Sequence, residues 1–262
     1  MENRFMKVTI LGTGTFYVSA KRSGPAYFLE VDNKNILIDC GPGTLIRLSE
    51  IGIDPKDLDY IFITHFHADH TSDLFALQMS FRLNEFFGEK ELKKFPIIYG
   101  PPGIEIFTKK LGQIYQLPAF DNFTKIKYKV NQESLQLGSL LVKPFRVKHT
   151  ASGLSVAAYA FRFEFGGKVF TFSGDSIKHE GLENASKNAD VFICDCSYTK
   201  GKGSPAHLNT HELGEIAEKS RVKKVFLTHI YPNLEDIDLV SEVKEKFSGE
   251  VIMGEDKIEI NI

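Results

Sequence analysis

The stretch Thr64-His65-Phe66-His67-Ala68-Asp69-His70 places three imidazoles and one carboxylate in positions 65 to 70. Neutral imidazole and carboxylate are the donors that suit zinc, manganese or iron. Side chains two apart on an extended segment point the same way, so His65 and His67 can reach one ion together. Asp69 and His70 lie further along and turn toward a second position. Four donors are more than one ion takes from so short a loop, which points to two metals. The bland alternative is a cluster of surface histidines, or Asp69 capping a helix. Three histidines and an aspartate directly after an apolar run weigh against it.

That run, Tyr60 to Thr64, is apolar and rich in β-branched and aromatic residues, so it reads as a buried strand. Thr71 to Phe87 carries Leu74, Leu77, Phe81 and Phe86 at near-helical spacing and reads as a helix. The donors therefore leave a strand end, where α/β sheets place their ligands.

The loop resembles the HxHxDH signature of the metallo-β-lactamase superfamily. The resemblance implies further ligands: a lone His after a strand, an Asp after another strand and a His after a late strand. The chain supplies them in order as His149, Asp175 and His229, among eight histidines in 262 residues. It also implies the α/β fold of that superfamily, a four-layer αββα sandwich of two similar halves, with residues 1–262 as one hydrolase domain. Two echoes fit such halves. Ala26-Tyr27 through Asp39 is matched by Ala158-Tyr159 through Asp175, and Ile61 to His65 by Val225 to His229. The ligand sets so implied are His65, His67, His149 and Asp175 on one ion, and Asp69, His70, Asp175 and His229 on the other. Two divalent metals follow, zinc foremost, with manganese or iron as substitutes. Asp39, in Asp39-Cys40-Gly41-Pro42-Gly43, matches an Asp-x-Gly turn of the family. It either supports the metal loop or caps the helix from Thr44 to Ile51.

Elsewhere the pattern predicts strands at Lys7 to Leu11 and Ala189 to Asp195. It predicts hairpins at 26–39 and 157–172, the second turning at Gly166-Gly167. Helices are expected from Pro101-Pro102-Gly103 to Leu111, over Thr210 to Lys219 with Thr210 capping, and over Glu242 to Phe247, with closing strands in 249–262. Gly12-Thr13-Gly14 lacks the third glycine of a dinucleotide fingerprint and reads as a tight turn. Phe81, Phe86, Phe87, Tyr115 and Phe120 are either core or the wall of a substrate pocket.

A net charge of −2 and a pI near 6.5 give no overall attraction to nucleic acid or membrane. Three cysteines, Cys40, Cys194 and Cys196, make no disulfide framework and read as reduced thiols. The N-terminal stretch is not a signal peptide, and no apolar run approaches the ~18 residues of a membrane span, so a cytoplasmic protein is expected, with a homodimer left open.

Within the superfamily, His207-x-x-Thr210 resembles the loop of the ribonuclease Z and phosphodiesterase branch. There this His acts on the scissile phosphate, as a proton donor or by a hydrogen bond to a phosphoryl oxygen. The catalytic pair implied is Asp69, which orients or deprotonates the nucleophile, and His207. Ribonuclease Z carries a tRNA-gripping arm between its ligand His and bridging Asp. Here only residues 150–174 lie in that interval, and the Gly-Gly hairpin uses nearly all of them. A small or cyclic phosphodiester is therefore the expected substrate. RNA is not favoured. A thioesterase or lactonase, a ribonuclease acting on tRNA 3′ ends and a non-catalytic metal sensor are the alternatives.

Overall fold

The computed structural model describes residues 5–86, 95–115, 127–130, 134–151 and 153–262, with side chains left out for 82–86 and Ala151. In chain order the first half holds β1 (Met6–Gly12), β2 (Ala26–Val31), β3 (Lys34–Ile38), α1 (Thr44–Glu50), β4 (Tyr60–Phe62), α2 (Ala68–Thr71), α3 (Leu74–Phe86), β5 (Ile97–Gly100), α4 (Ile104–Ile114) and β6 (Lys127–Val130). The second half holds β7 (Leu135–Leu137), β8 (Leu140–Ala151), β9 (Leu154–Phe165), β10 (Lys168–Phe172), α5 (Glu180–Ser186), β11 (Val191–Asp195), α6 (Thr210–Lys219), β12 (Lys224–Thr228), α7 (Leu239–Lys244) and β13 (Glu250–Met253); β14 (Glu259–Asn261) returns to the first sheet.

The two sheets run β14-β1-β2-β3-β4-β5-β6 and β13-β12-β11-β10-β9-β8-β7. Read from β14 and from β7, both show three antiparallel pairings followed by three parallel ones. The halves are therefore topologically alike. The echo of Ala26–Asp39 in Ala158–Asp175 is the true one, because β2–β3 and β9–β10 hold the same place. The echo of Ile61–His65 in Val225–His229 is displaced by one strand: β4 corresponds to β11, and β12 to β5.

Three apolar clusters separate four layers. Between the sheets lie Val8, Ile10, Tyr27, Phe62, Phe161, Phe163, Phe170 and Ile193. Phe62 stacks on Tyr99 with centroids 4.9 Å apart and meets Phe161 edge-on at 5.3 Å, so the layer is aromatic and tightly fixed. Leu48, Leu74, Leu77 and Ile104 fasten the outer helices to the first sheet. Leu182, Leu213, Ile216 and Val243 do so for the second. With helices on both outer faces, the parallel strands are buried on both sides and read as continuous apolar runs, as in Val191–Asp195. No helix among the described residues is long and apolar enough to cross a membrane.

Local departures from the sequence pattern have identifiable causes. The helix after the metal loop is two, α2 and α3, because the Asp73 amide bonds the Cys40 carbonyl and the Asp73 carboxylate accepts from the Gly43 amide. His149 lies inside β8, not after it. Asn209, not Thr210, caps α6: its side chain accepts from the Glu212 amide at 2.9 Å while Glu212 accepts from the Asn209 amide at 3.0 Å. The Thr210 hydroxyl instead donates to Glu242 at 2.7 Å. The last helix starts at Leu239, earlier than the apolar spacing suggests, because Asp238 caps it.

Gly41 sits where the β3 turn crosses the metal loop. A Cβ there would lie 2.0 Å from the Asp69 carbonyl oxygen, whereas one at Gly203 meets nothing within 4 Å. Gly41→Ala is expected to destabilise the protein by roughly 1–3 kcal/mol or more, and Gly203→Ala by less than about 0.5 kcal/mol, in urea melts.

Candidate active site

Two buried carboxylates, Asp39 and Asp195, organise the site from behind. Asp39 follows β3 with φ 57°, a left-handed conformation that Asp tolerates better than most residues. It accepts from the Thr64 amide at 2.8 Å, from the Thr64 hydroxyl at 2.9 Å and from His70 Nδ1 at 2.7 Å. The Thr64 hydroxyl in turn meets His65 Nδ1 at 3.0 Å. One carboxylate thus fixes two imidazoles, His70 directly and His65 through a hydroxyl. Asp39 supports the metal loop; α1 takes Gly43 as its N-cap, with no side-chain cap.

Asp195, at the end of β11, repeats the device. It accepts from His207 Nδ1 at 2.8 Å and from the Ser197 hydroxyl at 2.5 Å, and that hydroxyl faces His229 Nδ1 at 2.8 Å. His149 Nδ1 donates to the Ala206 carbonyl at 2.8 Å. The outward nitrogens of His65, His70, His149 and His229 are therefore all engaged, which sets each ring's tautomer and turns Nε2 inward.

The inward atoms converge on Asp175. Its Oδ2 lies 3.7 Å from His65 Nε2, 3.8 Å from His149 Nε2 and 3.4 Å from His229 Nε2, and its Oδ1 lies 3.2 Å from His70 Nε2. His67 Nδ1 is 3.0 Å from His149 Nε2, and Asp69 Oδ2 is 3.3 Å from His229 Nε2. Donor atoms of His65, His67, His149 and Asp175 lie within 4.8 Å of one another, as do those of Asp69, His70, Asp175 and His229. The seven candidate ligands are thus brought together as two sets sharing Asp175. A third grouping adds Asp195 and His207 to Asp175 and His229, but Asp195 and His207 already engage each other.

These residues fit divalent cations. His65 Nε2 and His70 Nε2 are buried with no hydrogen-bond partner, a costly state that a cation would relieve. Charge points the same way. Burial pushes the His65 imidazole well below its usual range, helped by His70 beside it. Burial also opposes a charge on His70, but Asp175, Asp39 and Asp69 outweigh it and hold His70 well above the ordinary value. Burial disfavours the Asp175 charge in turn, and His229 and His70 more than offset that, keeping its carboxyl well below the usual range. The site demands positive charge, which bound cations would supply in place of protons.

In front of the two sets lies a cleft of ≈ 350 Å³ lined by Phe16, His67, Ala68, Asp69, His149, Thr150, Asp175, His207 and Tyr231. Its size suits a small ligand. His207 sits beside the donors, its ring stacked on His229 at 4.9 Å. Burial resists its charge, yet Asp195 and Asp175 lift its pKa to about 9. Of the aromatics the sequence offered as a wall, Phe81 is core and Tyr115 packs on Phe75. Phe87, Phe120 and the side chain of Phe86 lie outside the described residues. The cleft takes Phe16 and Tyr231 instead. Asp195 and Ser197 also escaped the sequence reading. The signal for Asp195 was a carboxylate ending a fully apolar strand, which needs a buried partner. Cys40, Cys194 and Cys196 are buried and unpaired, and burial raises each thiol well above its usual range, so they are inert.

The family model described as anti-Pycsar protein Apyc1 matches residues 6–249. The probable metallo-hydrolase YhfI of Bacillus subtilis is 29% identical over 250 residues, covering 94% of this chain and 96% of YhfI. Its crystal structure, described as a metallo-β-lactamase fold protein, superposes with a TM-score of 0.82 over 98% of this chain and 100% of that one, at 24% identity. Ribonuclease Z of Agathobacter rectalis is 29% identical over 299 residues, covering 96% of each chain. Yeast PDE1 shares the fold, with a TM-score of 0.73, 16% identity and coverage of 96% and 98%.

Asp39→Asn weakens the outer support of His70 and, through Thr64, of His65, and Ser197→Ala removes the hydroxyl behind His229. Each is expected to weaken metal affinity by about 10- to 100-fold in chelator competition. Asp195→Asn is expected to lower turnover more than metal affinity, since His207 is its direct partner.

Proposed function

The chain belongs to the anti-Pycsar Apyc1 family, metallo-β-lactamase-fold, metal-dependent hydrolases of the ribonuclease Z and phosphodiesterase branch, and from that membership we propose that it is a binuclear phosphodiesterase that opens cyclic nucleotides. The carrying observation is the cleft. Two donor sets and an aspartate-held imidazole share one small opening, and no lysine or arginine lines it among the described residues. An RNA-gripping site needs several cations for successive phosphates. A single cyclic phosphodiester needs none beyond those at the reacting phosphorus. The family's degradation of cyclic nucleotides supports the same reading.

His65, His67, His149 and Asp175 would hold one ion; Asp69, His70, Asp175 and His229 the other, with zinc foremost. The chemistry such ions supply when bound is a water acidified to a pKa of ~7 and a phosphoryl group with its charge neutralised. The remaining work falls to the chain's own groups. Asp69, buried at the cleft floor, orients the attacking water and accepts its proton. Asp195 holds the His207 Nδ1–H and leaves Nε2 for the cleft. From Nε2 a proton passes to the sugar oxygen as the P–O bond breaks. Thr150 and Ala68 also line the cleft.

His207→Ala is expected to keep its metal and lose turnover by on the order of 10²–10⁴-fold on a cyclic nucleotide, but much less on a nitrophenyl diester, whose leaving oxygen hardly needs a proton. Equal losses on both would remove the proton-donor role. Hydrolysis of thioesters or lactones in preference to any phosphodiester would sink the reading. Pre-tRNA is expected to be a poor substrate, because β8, β9 and β10 occupy residues 140–172 and leave no arm between His149 and Asp175. Rates on pre-tRNA matching those on cyclic nucleotides would contradict this.

A further inference from the structure

One feature of the cleft has no part in phosphoryl chemistry: its aromatic wall. Phe16 is 63% exposed, the most exposed phenylalanine among the described residues, and Tyr17 beside it is 64% exposed. Phe16 and Tyr231 meet edge-on with centroids 6.0 Å apart and planes at 76°. Together they form an open corner. Tyr231 also stands edge-on to His229 at 5.7 Å and to His207 at 6.3 Å. The corner therefore begins one ring's width from the groups that act on the phosphate.

The loop that carries Phe16 is tied down at its base. The Gly14 amide donates to the Ser23 carbonyl at 2.8 Å, closing the loop at its base, and the Ile230 amide donates to the Thr13 carbonyl at 2.9 Å. The second bond ties the Phe16 loop to the segment that carries Tyr231. Arg22, 4% exposed, donates to the Thr13 hydroxyl and the Gly254 carbonyl, both at 2.7 Å, and to Glu235 at 2.6 Å. Asp256 accepts from the Thr13 amide at 2.9 Å and from the Ser23 amide at 2.7 Å. A buried arginine and a half-buried aspartate thus tie down the base of a loop whose tip presents bare aromatic surface to solvent. Such bracing gives pre-organisation, which lowers the ordering cost of binding a planar group.

Resting on the phosphodiesterase reading, we propose that Phe16 and Tyr231 are the specificity residues for the nucleobase: the base of a cyclic nucleotide stacks on Phe16, with Tyr231 against its edge, while its phosphate sits over Asp175. The occupant follows from the corner's chemistry. Both walls offer π-faces, and between Phe16 and Tyr231 the cleft lining has no amide or charged side chain to read a base's hydrogen-bonding edge. Stacking is the interaction left, and every base has a π-face.

The test compares a 3′,5′-cyclic nucleotide with methyl riboside 3′,5′-cyclic phosphate, which keeps the ring diester and lacks the base. In the wild type, the base-free diester should show a higher KM than the nucleotide. Phe16→Ala should raise KM for the nucleotide by about 5- to 100-fold, the range of one lost base–aromatic stack, with kcat and metal content retained. On the base-free diester its KM should stay within about twofold of the wild type, and Phe16→Tyr should restore nucleotide binding. Equal KM values for the two substrates in the wild type, or a Phe16→Ala defect of the same size on both, would overturn the stacking role and leave the phosphodiesterase standing. If the wild type hydrolyses neither, the phosphodiesterase reading falls and the base site with it.

Discussion

Taking several carboxylates out of water at one point is the constraint on which the rest of this structure depends. Asp39, Asp69, Asp175 and Asp195 are all buried. Charges so placed persist only when paired. The chain answers in two shells. Inward, six imidazole and carboxylate partners surround Asp175, two of the imidazole nitrogens with no bonding partner. Outward, Asp39 and Asp195 each hold one imidazole directly and a second through a hydroxyl, Thr64 or Ser197. The inner shell favours divalent cations, and the outer shell fixes how the donors face them.

The two outer devices are alike in chemistry but not in topological position. Asp39 follows β3, while Asp195 ends β11, the counterpart of β4. The strict correspondence between the halves is in their sheets, three antiparallel pairings then three parallel. The parallel strands deliver their C-terminal ends to one edge, where ligand-binding loops of α/β sheets lie. His65, Asp175, Asp195 and His229 all follow or close such strands. The aromatic layer between the sheets is rigid enough to hold these ends in register. Two of the non-glycine residues with a left-handed φ stand at this edge, His229 at 60° and Asp39 at 57°. Non-glycine residues of that kind cost on the order of 1–3 kcal/mol each and persist where the surroundings over-determine them.

The metal-binding face and the outer cleft answer to different physics. Below, direction is set by hydrogen bonds at buried, low-dielectric positions, where an unmade bond is expensive. Above, Phe16 and Tyr231 present aromatic surface, and no lysine or arginine lines the cleft among the described residues. On the proposed reading, chemistry at phosphorus and recognition of the rest of the substrate fall to separate layers, with Tyr231 standing edge-on to His207 where they meet.

Most of the inner site was legible in the amino-acid order. Four donors within six positions announce themselves, Asp175 and His229 each follow an apolar run that reads as a strand, and the family order singles out His149, which lies inside β8. The hairpins at 26–39 and 157–172, and the absence of room for an arm before Asp175, could also be read off the sequence, because they depend on local pattern and chain length. Tertiary structure decided the remainder. Asp39 could support the loop or cap a helix until its 2.7 Å bond to His70 was in place. Asn209 displaced Thr210 as cap because Glu242, 32 residues away in sequence, claims the Thr210 hydroxyl. Asp195 reads in the sequence only as the end of a strand, and Phe16 lies just past the Gly12-Thr13-Gly14 turn with no signal of its own. Neither role has a periodicity or a spacing, because each is created by elements distant in the chain meeting at the strand ends.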